Sequence, residues 1–130
     1  MRCHRLIFWV RLTAVIGLAI GVGACSTEPE LSLSDGAREG KILYDNNGCA
    51  ACHGANGSGG VGPTLAGHAG STVALSDGSS VLADRKYLIE SILLPQAQLV
   101  AGYNIKMPQN GLTAEQADLI AQFIEEMPLP

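Results

Sequence analysis

Apolar positions and capping residues mark out three helices and one hairpin along this chain. Between Asp35 and Asn46, Ala37, Gly40 and Tyr44 fall along one face, and Ser34 stands where an N-cap belongs, which predicts a first helix over 35–46. Gly40 inside that helix costs about 1 kcal/mol, so another backbone is expected to approach closely there. Asn46-Asn47-Gly48 breaks the helix. Asp84 caps a helix predicted to run through Leu94, where Pro95 stops it. Thr113 and Gln116 have capping-box spacing and open a last helix, with Ala117, Ile120, Ala121 and Ile124 on one face, ending before Pro128. Val73, Leu75 and Val81 alternate instead, around Asp77-Gly78, and predict a compact hairpin. Residues 54–63 are glycine-rich and predict loop. The expected fold is all-α with one small β-hairpin.

The first residues follow a different pattern. Arg2, Arg5 and Arg11 form a basic start, Leu12 to Ala24 is an uncharged apolar stretch of 13 residues, and small residues from Gly21 to Ala24 close it. A bilayer span needs about 20 residues, so a cleaved export signal over 1–24 is expected rather than a permanent anchor. Val22-Gly23-Ala24-Cys25 resembles the lipobox of bacterial lipoproteins, in which the cysteine becomes the acylated N-terminus. Ordinary signal-peptidase cleavage is the alternative, because Val22-x-Ala24 also fits the small-residue rule. A lipidated Cys25 would leave the protein exported and anchored to a bacterial membrane, facing the periplasm or the cell exterior. Stable anchoring needs more than one acyl chain, and bacterial lipoproteins generally carry two or three. Residues 25–34 then read as a tether, polar with one proline, and its nine flexible residues from Ser26 to Ser34 reach about 15–18 Å on average.

Cleavage leaves 106 residues, one small domain over 35–130 beyond the tether. Five basic and twelve acidic residues remain after position 24, a formal charge of −7, which disfavours a nucleic-acid partner. That mature chain has no tryptophan, and its aromatics are Tyr44, Tyr87, Tyr103 and Phe123. A core so thin is marginal alone. A buried apolar cofactor would complete it.

Cys49-Ala50-Ala51-Cys52-His53 supplies the chemistry for such a cofactor. This C-x-x-C-H run attaches a haem covalently. On one helical turn, positions i and i+3 share a side, so Cys49 and Cys52 both reach one edge of the porphyrin. His53 then offers an imidazole nitrogen to the iron. Other readings fit less well. A thioredoxin-like pair belongs beside βαβ units, which this chain lacks. Zinc wants a second Cys/His pair at ligand spacing, but no cysteine follows Cys52, and His68 is the one other histidine after the leader. A Cys49–Cys52 disulfide would close too small a loop to stabilise much. Cys3 lies in the leader and Cys25 at its end, so no cysteine is left for a disulfide framework.

A second axial ligand has three candidates. Met107 precedes Pro108, which pushes it into an extended loop suited to reaching across a haem face. Its bland role would be a gap-filling core methionine. His68 would give bis-histidine ligation from a small-residue loop 15 residues beyond His53. Met127, at the end of an amphipathic helix, reads as a terminal core or surface residue. An open sixth position is the remaining case.

Residues 36–127 resemble a class I cytochrome c domain, and within that class are most similar to the domain fused to subunit II of some haem–copper terminal oxidases. The resemblance rests on Gly40-Lys41-Ile42-Leu43-Tyr44, the Cys49–His53 motif, Gly62-Pro63-Thr64-Leu65, the Asp77-Gly78 hairpin, Tyr87-Leu88, Ser91-Ile92-Leu93, Gly102-Tyr103 and Met107-Pro108. It implies a class I cytochrome c fold, helices wrapped around one covalent haem c with a small hairpin insertion. It also implies His53/Met107 ligation, with the Pro63 carbonyl holding the other His53 nitrogen, and a crossing of the first and last helices at Gly40 and Tyr44. The chain departs from that oxidase subunit: it has no transmembrane hairpin and no copper-binding domain, so it is not expected to be the subunit itself. A lone domain with a lipoprotein leader is also similar, on architecture alone, to monohaem cytochrome subunits of the alternative complex III.

The expected function is one-electron transfer in a respiratory chain, with a membrane complex such as a terminal oxidase or quinol-oxidising complex as partner. Residues 48–65 and 99–105 carry no charged side chain, and an apolar docking edge is expected there. The alternatives are a haem enzyme with an open sixth position, peroxidase-like or sulfur-oxidising, a cytochrome subunit of a larger oxidoreductase, and a thiol or metal-binding module.

Overall fold

Side-chain caps decide where each long helix begins. The computed structural model describes residues 32–129, and its elements are α1 (Asp35–Asn46), α2 (Cys49–His53), β1 (Thr72–Ala74), β2 (Ser80–Leu82), α3 (Arg85–Leu93) and α4 (Ala114–Glu125). The Ser34 hydroxyl accepts from the Ala37 N–H at 3.2 Å, and the Asp84 carboxylate accepts from the Tyr87 N–H at 2.8 Å. Thr113 and Gln116 close the capping box in both directions, at 3.2 and 3.0 Å. Such caps are worth about 1 kcal/mol each. α3 ends at Leu93, one residue short of expectation, because Leu94 precedes Pro95 and is forced out of the helical region to φ −125° and ψ 64°.

The core lies where α1 crosses α4. Ala37, Ala117 and Ala121 are wholly buried at the crossing, and Tyr44 meets Phe123 edge to face with ring centroids 5.4 Å apart. Burying Ile120 and Phe123 contributes about 1.5–3 kcal/mol each. α3 packs against α4 and is fastened at its start by Arg85, which reaches both Asp118, at 3.2 Å, and Glu125. These ion pairs are exposed and add at most about 1 kcal/mol each. Met127 fills the end of the core, as expected of a residue closing an amphipathic helix.

β1 and β2 pair antiparallel with Val73 opposite Val81. The Asp77 carboxylate holds the turn by accepting from the Ser79 N–H at 2.9 Å and the Ser79 hydroxyl at 2.6 Å. Gly78 takes φ 88°, which a side chain would strain. Leu75 alternates with Val73 on the buried side as expected, its N–H donates to the Ser79 carbonyl at 2.9 Å, and it also bridges to Val100, which ties the hairpin to the segment that follows α3.

The domain takes in the last residues before α1. Leu33 packs against the core, while the Ser34 N–H and hydroxyl donate to the Glu126 carboxylate at 2.8 and 2.7 Å. The signal segment, Cys25 and the tether as far as Leu31 lie outside the described residues. Among the described residues, no helix is long and apolar enough to cross a membrane.

Candidate haem site

A left-handed glycine sets up the site. Gly48, at φ 73°, turns the chain from α1 into the single-turn helix α2, and that turn carries Cys49, Cys52 and His53. Both thiols are free and half-buried. Burial pushes the Cys49 thiol up from its ordinary value, which disfavours the thiolate that a redox-active or metal-binding cysteine requires.

The glycine-rich loop after α2 folds back over it. Gly59 N–H donates to the His53 carbonyl at 2.8 Å, Gly62 N–H to the Cys52 carbonyl at 3.0 Å, and Tyr44 OH to the Gly54 carbonyl at 2.7 Å. Burial, with the nearby Cys49, Asp45 and Cys52 adding to it, pushes Tyr44 up to about 12, so this hydroxyl stays protonated and remains a donor. The return of the loop brings the Pro63 carbonyl to 2.8 Å from His53 Nδ1. A carbonyl only accepts, so Nδ1 carries the proton and Nε2 keeps its lone pair for a metal. Gly62 lies against the same ring. A Cβ there would come within 3.0 Å of His53 Cε1 and 3.1 Å of Nδ1, so this position admits glycine alone without moving the ligand.

Facing α2 and this loop are α3 and residues 95–110, and between them lies a cleft of about 250 Å³. Cys49, Cys52, His53, Pro63 and Met107 all line it, so residues spread over nearly 60 positions converge on one volume. His68 lines it too, with its ring centroid 6.4 Å from that of Tyr87. Burial, and secondarily the nearby His53, lowers the His68 pKa, so His68 is neutral at pH 7. Met107 is half-buried in the cleft, whereas Met127 does not reach it.

The residues present fit a haem. Two thiols come from one face of one turn, an imidazole has its second nitrogen engaged, a thioether lines the same cleft, and the walls are largely apolar. The Ser91 hydroxyl, noted in the sequence only as part of the family-like run, lines the cleft and is buried without a hydrogen-bond partner in the protein. A buried orphan of this kind points to a polar atom of whatever fills the space. Among the described residues, no carboxylate lines the cleft, and Lys106 is the one lysine or arginine that does. Among the described residues, no group of three or more His, Cys, Asp or Glu side chains is placed to hold a bare metal ion.

The family model described as Cytochrome c matches residues 37–128 of the chain. No curated protein matches it.

Proposed function

The chain belongs to the cytochrome c family, with the family's class I fold and its covalently bound haem c, and on that premise we propose that it is a membrane-tethered carrier serving a respiratory complex. Electron transfer through a haem is the family's general activity. The haem supplies a one-electron couple at its iron; everything else is work for the polypeptide. In this reading Cys49 and Cys52 would hold the haem covalently through thioether bonds, and His53 and Met107 would be the side chains that bind its iron. Pro63 holds the His53 ring in the tautomer and orientation that present Nε2.

One observation carries the reading. The cleft joins a C-x-x-C-H turn, whose histidine is already oriented by a carbonyl 2.8 Å away, to a half-buried methionine thioether. With His53 and Met107 both engaged by the iron, no position would be left for substrate, which favours a carrier over a peroxidase-like or sulfur-oxidising enzyme. A thioether ligand also raises the potential relative to two histidines.

The partner we propose is a terminal oxidase or a quinol-oxidising complex in the same membrane, with Cys25 acylated and the protein facing the periplasm or cell exterior. The lipobox-like Val22–Cys25 run and the short tether support this. So does the domain's similarity to one fused to oxidase subunit II. The rim of the cleft suits a transient redox contact: Val61, Tyr103 and Ile105 are 49%, 41% and 60% exposed there, and among the described residues no carboxylate lines the cleft.

Expression of the full chain with cytochrome c maturation machinery tests both halves. A denaturing gel stained for haem should show a band that Cys52→Ala removes, and a polypeptide of bare mass would overturn the cofactor assignment. Native protein should partition into detergent and co-purify with a respiratory complex. Recovery of soluble wild-type protein with an unmodified Cys25 at its N-terminus would overturn the anchor.

A further inference from the structure

Two side-chain amides hold the segment that carries Met107. Residues 99–101 are stitched to the hairpin: Ser76 N–H donates to the Leu99 carbonyl at 2.8 Å, and Ala101 N–H to the Ala74 carbonyl at 2.9 Å. Beyond that point regular backbone pairing stops. Among the described residues, two hydrogen bonds tie 102–112 to the rest of the domain. Gln96 Nε2 donates to the Met107 carbonyl at 2.8 Å, and Asn110 Nδ2 donates to the Ile92 carbonyl at 2.7 Å. Asn110 is itself braced, because its Oδ1 accepts from the Leu112 N–H at 3.1 Å.

The placement of these bonds is informative. Pro108 has no N–H, so the peptide after Met107 offers no donor and its carbonyl is the group left to fasten. Gln96 fastens it from just past α3. Asn110, three residues beyond Met107, returns to the carbonyl of Ile92, one of the last residues of α3, which has no intrahelical partner so close to the helix end. One amide holds Met107 itself and the other holds the chain just after it, both on the same end of α3.

We propose that Gln96 and Asn110 are positioning residues that clamp the Met107 segment onto the end of α3 and thereby set how readily an external ligand displaces Met107 from the iron. The proposal rests on Met107 being the axial ligand. Displacing the thioether means moving this segment, and each bond that must break with it adds to the resistance. Net hydrogen-bond strengths correspond to about two- to ten-fold in an equilibrium constant. The Gln96 bond is exposed and competes with water, so its effect belongs near the lower end; the Asn110 bond is part-buried and belongs near the upper.

Imidazole titration of the oxidised holoprotein, followed in the visible spectrum, is the test. Gln96→Ala and Gln96→Glu should each bind imidazole about two- to three-fold more tightly than wild type, because both lose the N–H donor and the glutamate keeps the shape. Asn110→Ala should bind it up to about ten-fold more tightly, and Gln96→Asn, too short to reach, should behave like the alanine. Ser34→Ala, which loses the distant cap on α1, should lower the melting temperature and leave imidazole affinity unchanged; a matching rise in affinity there would reduce the effect to general destabilisation and overturn the clamp. Met107→Ala separates the two readings. If Met107→Ala binds imidazole as weakly as wild type, Met107 is not the ligand; if it binds far more tightly while Gln96→Ala and Asn110→Ala match wild type, the ligand assignment stands and the clamp fails.

Discussion

Gly40 of α1 lies so close to Leu119 of α4 that a Cβ on the glycine would sit 1.9 Å from the leucine carbonyl oxygen. Both partners are backbone, so neither yields without moving a helix. Gly40→Ala gains about 1 kcal/mol of helix propensity and loses more by overpacking, typically about 1–3 kcal/mol and more where backbone must shift. The expected outcome is net destabilisation of the holoprotein in denaturant. Gly36→Ala is the control on the same helix, because its nearest neighbour is the Gln122 side-chain oxygen, which can swing away. Gly36→Ala should be close to neutral, and equal losses at the two positions would show that α1 and α4 do not cross at Gly40.

A glycine inside a helix gave reason to expect a close backbone at Gly40, and the family resemblance implied that the last helix supplies it; local logic of the first kind located most of the fold. Ser34, Asp84 and Thr113 with Gln116 sit within three residues of the N–H groups they satisfy, so caps are written in adjacent sequence. The C-x-x-C-H turn is local in the same way. What escaped was contact between distant positions: Ser34 with Glu126 across 92 residues, Arg85 with Glu125 across 40, Asn110 with Ile92 across 18. No periodicity encodes these pairs, because each exists only once α1, α3 and α4 have packed. Ser91 was legible as part of a family-like run and illegible as a buried hydroxyl without a partner, for the same reason.

Acid stability follows from the Ser34–Glu126 pair. The Ser34 hydroxyl first, and its N–H second, hold the exposed Glu126 carboxyl below its ordinary value of 4.5. A depressed pKa means that the folded state binds fewer protons than the unfolded one. The stabilisation is therefore complete above the ordinary value and is lost as pH falls through the folded one. Asp77, lowered by the Ser79 hydroxyl and then the Ser79 N–H, adds loss of the same sign. Melting temperature measured from pH 6 down to pH 3 should fall less steeply in Glu126→Gln than in wild type, with the Asp77 contribution persisting. An unchanged slope would mean that the pair does not form in solution.

Ligation distinguishes Met107 from His68, since both line the cleft. Met107→Ala should abolish the weak charge-transfer band at the red end of the oxidised spectrum and lower the reduction potential, because a soft thioether favours ferrous iron. His68→Ala should leave the band in place. It should also leave the potential nearly constant, because a histidine neutral at pH 7 contributes no net charge beside the iron. Loss of the band in His68→Ala with retention in Met107→Ala would establish bis-histidine ligation.

The salt dependence of electron transfer to the partner complex should be weak. The protein is acidic as a whole, yet among the described residues no carboxylate lines the cleft, and residues 48–65 and 99–105 carry no charged side chain. Lys106 is the exception at the rim. Charge steering acts through groups near the contact, and screening lengths shrink from about 10 Å at 0.1 M salt to about 3 Å at 1 M. A docking edge built from Val61, Tyr103 and Ile105 should therefore lose less than about two-fold in rate over that range. Val61→Asp or Ile105→Asp should slow transfer at every salt concentration, by putting a charge where the partner must exclude water. Lys106→Ala should change the small residual salt slope and little else. A rate that falls steeply with salt in the wild type would place the contact on one of the acidic faces instead, away from the apolar rim.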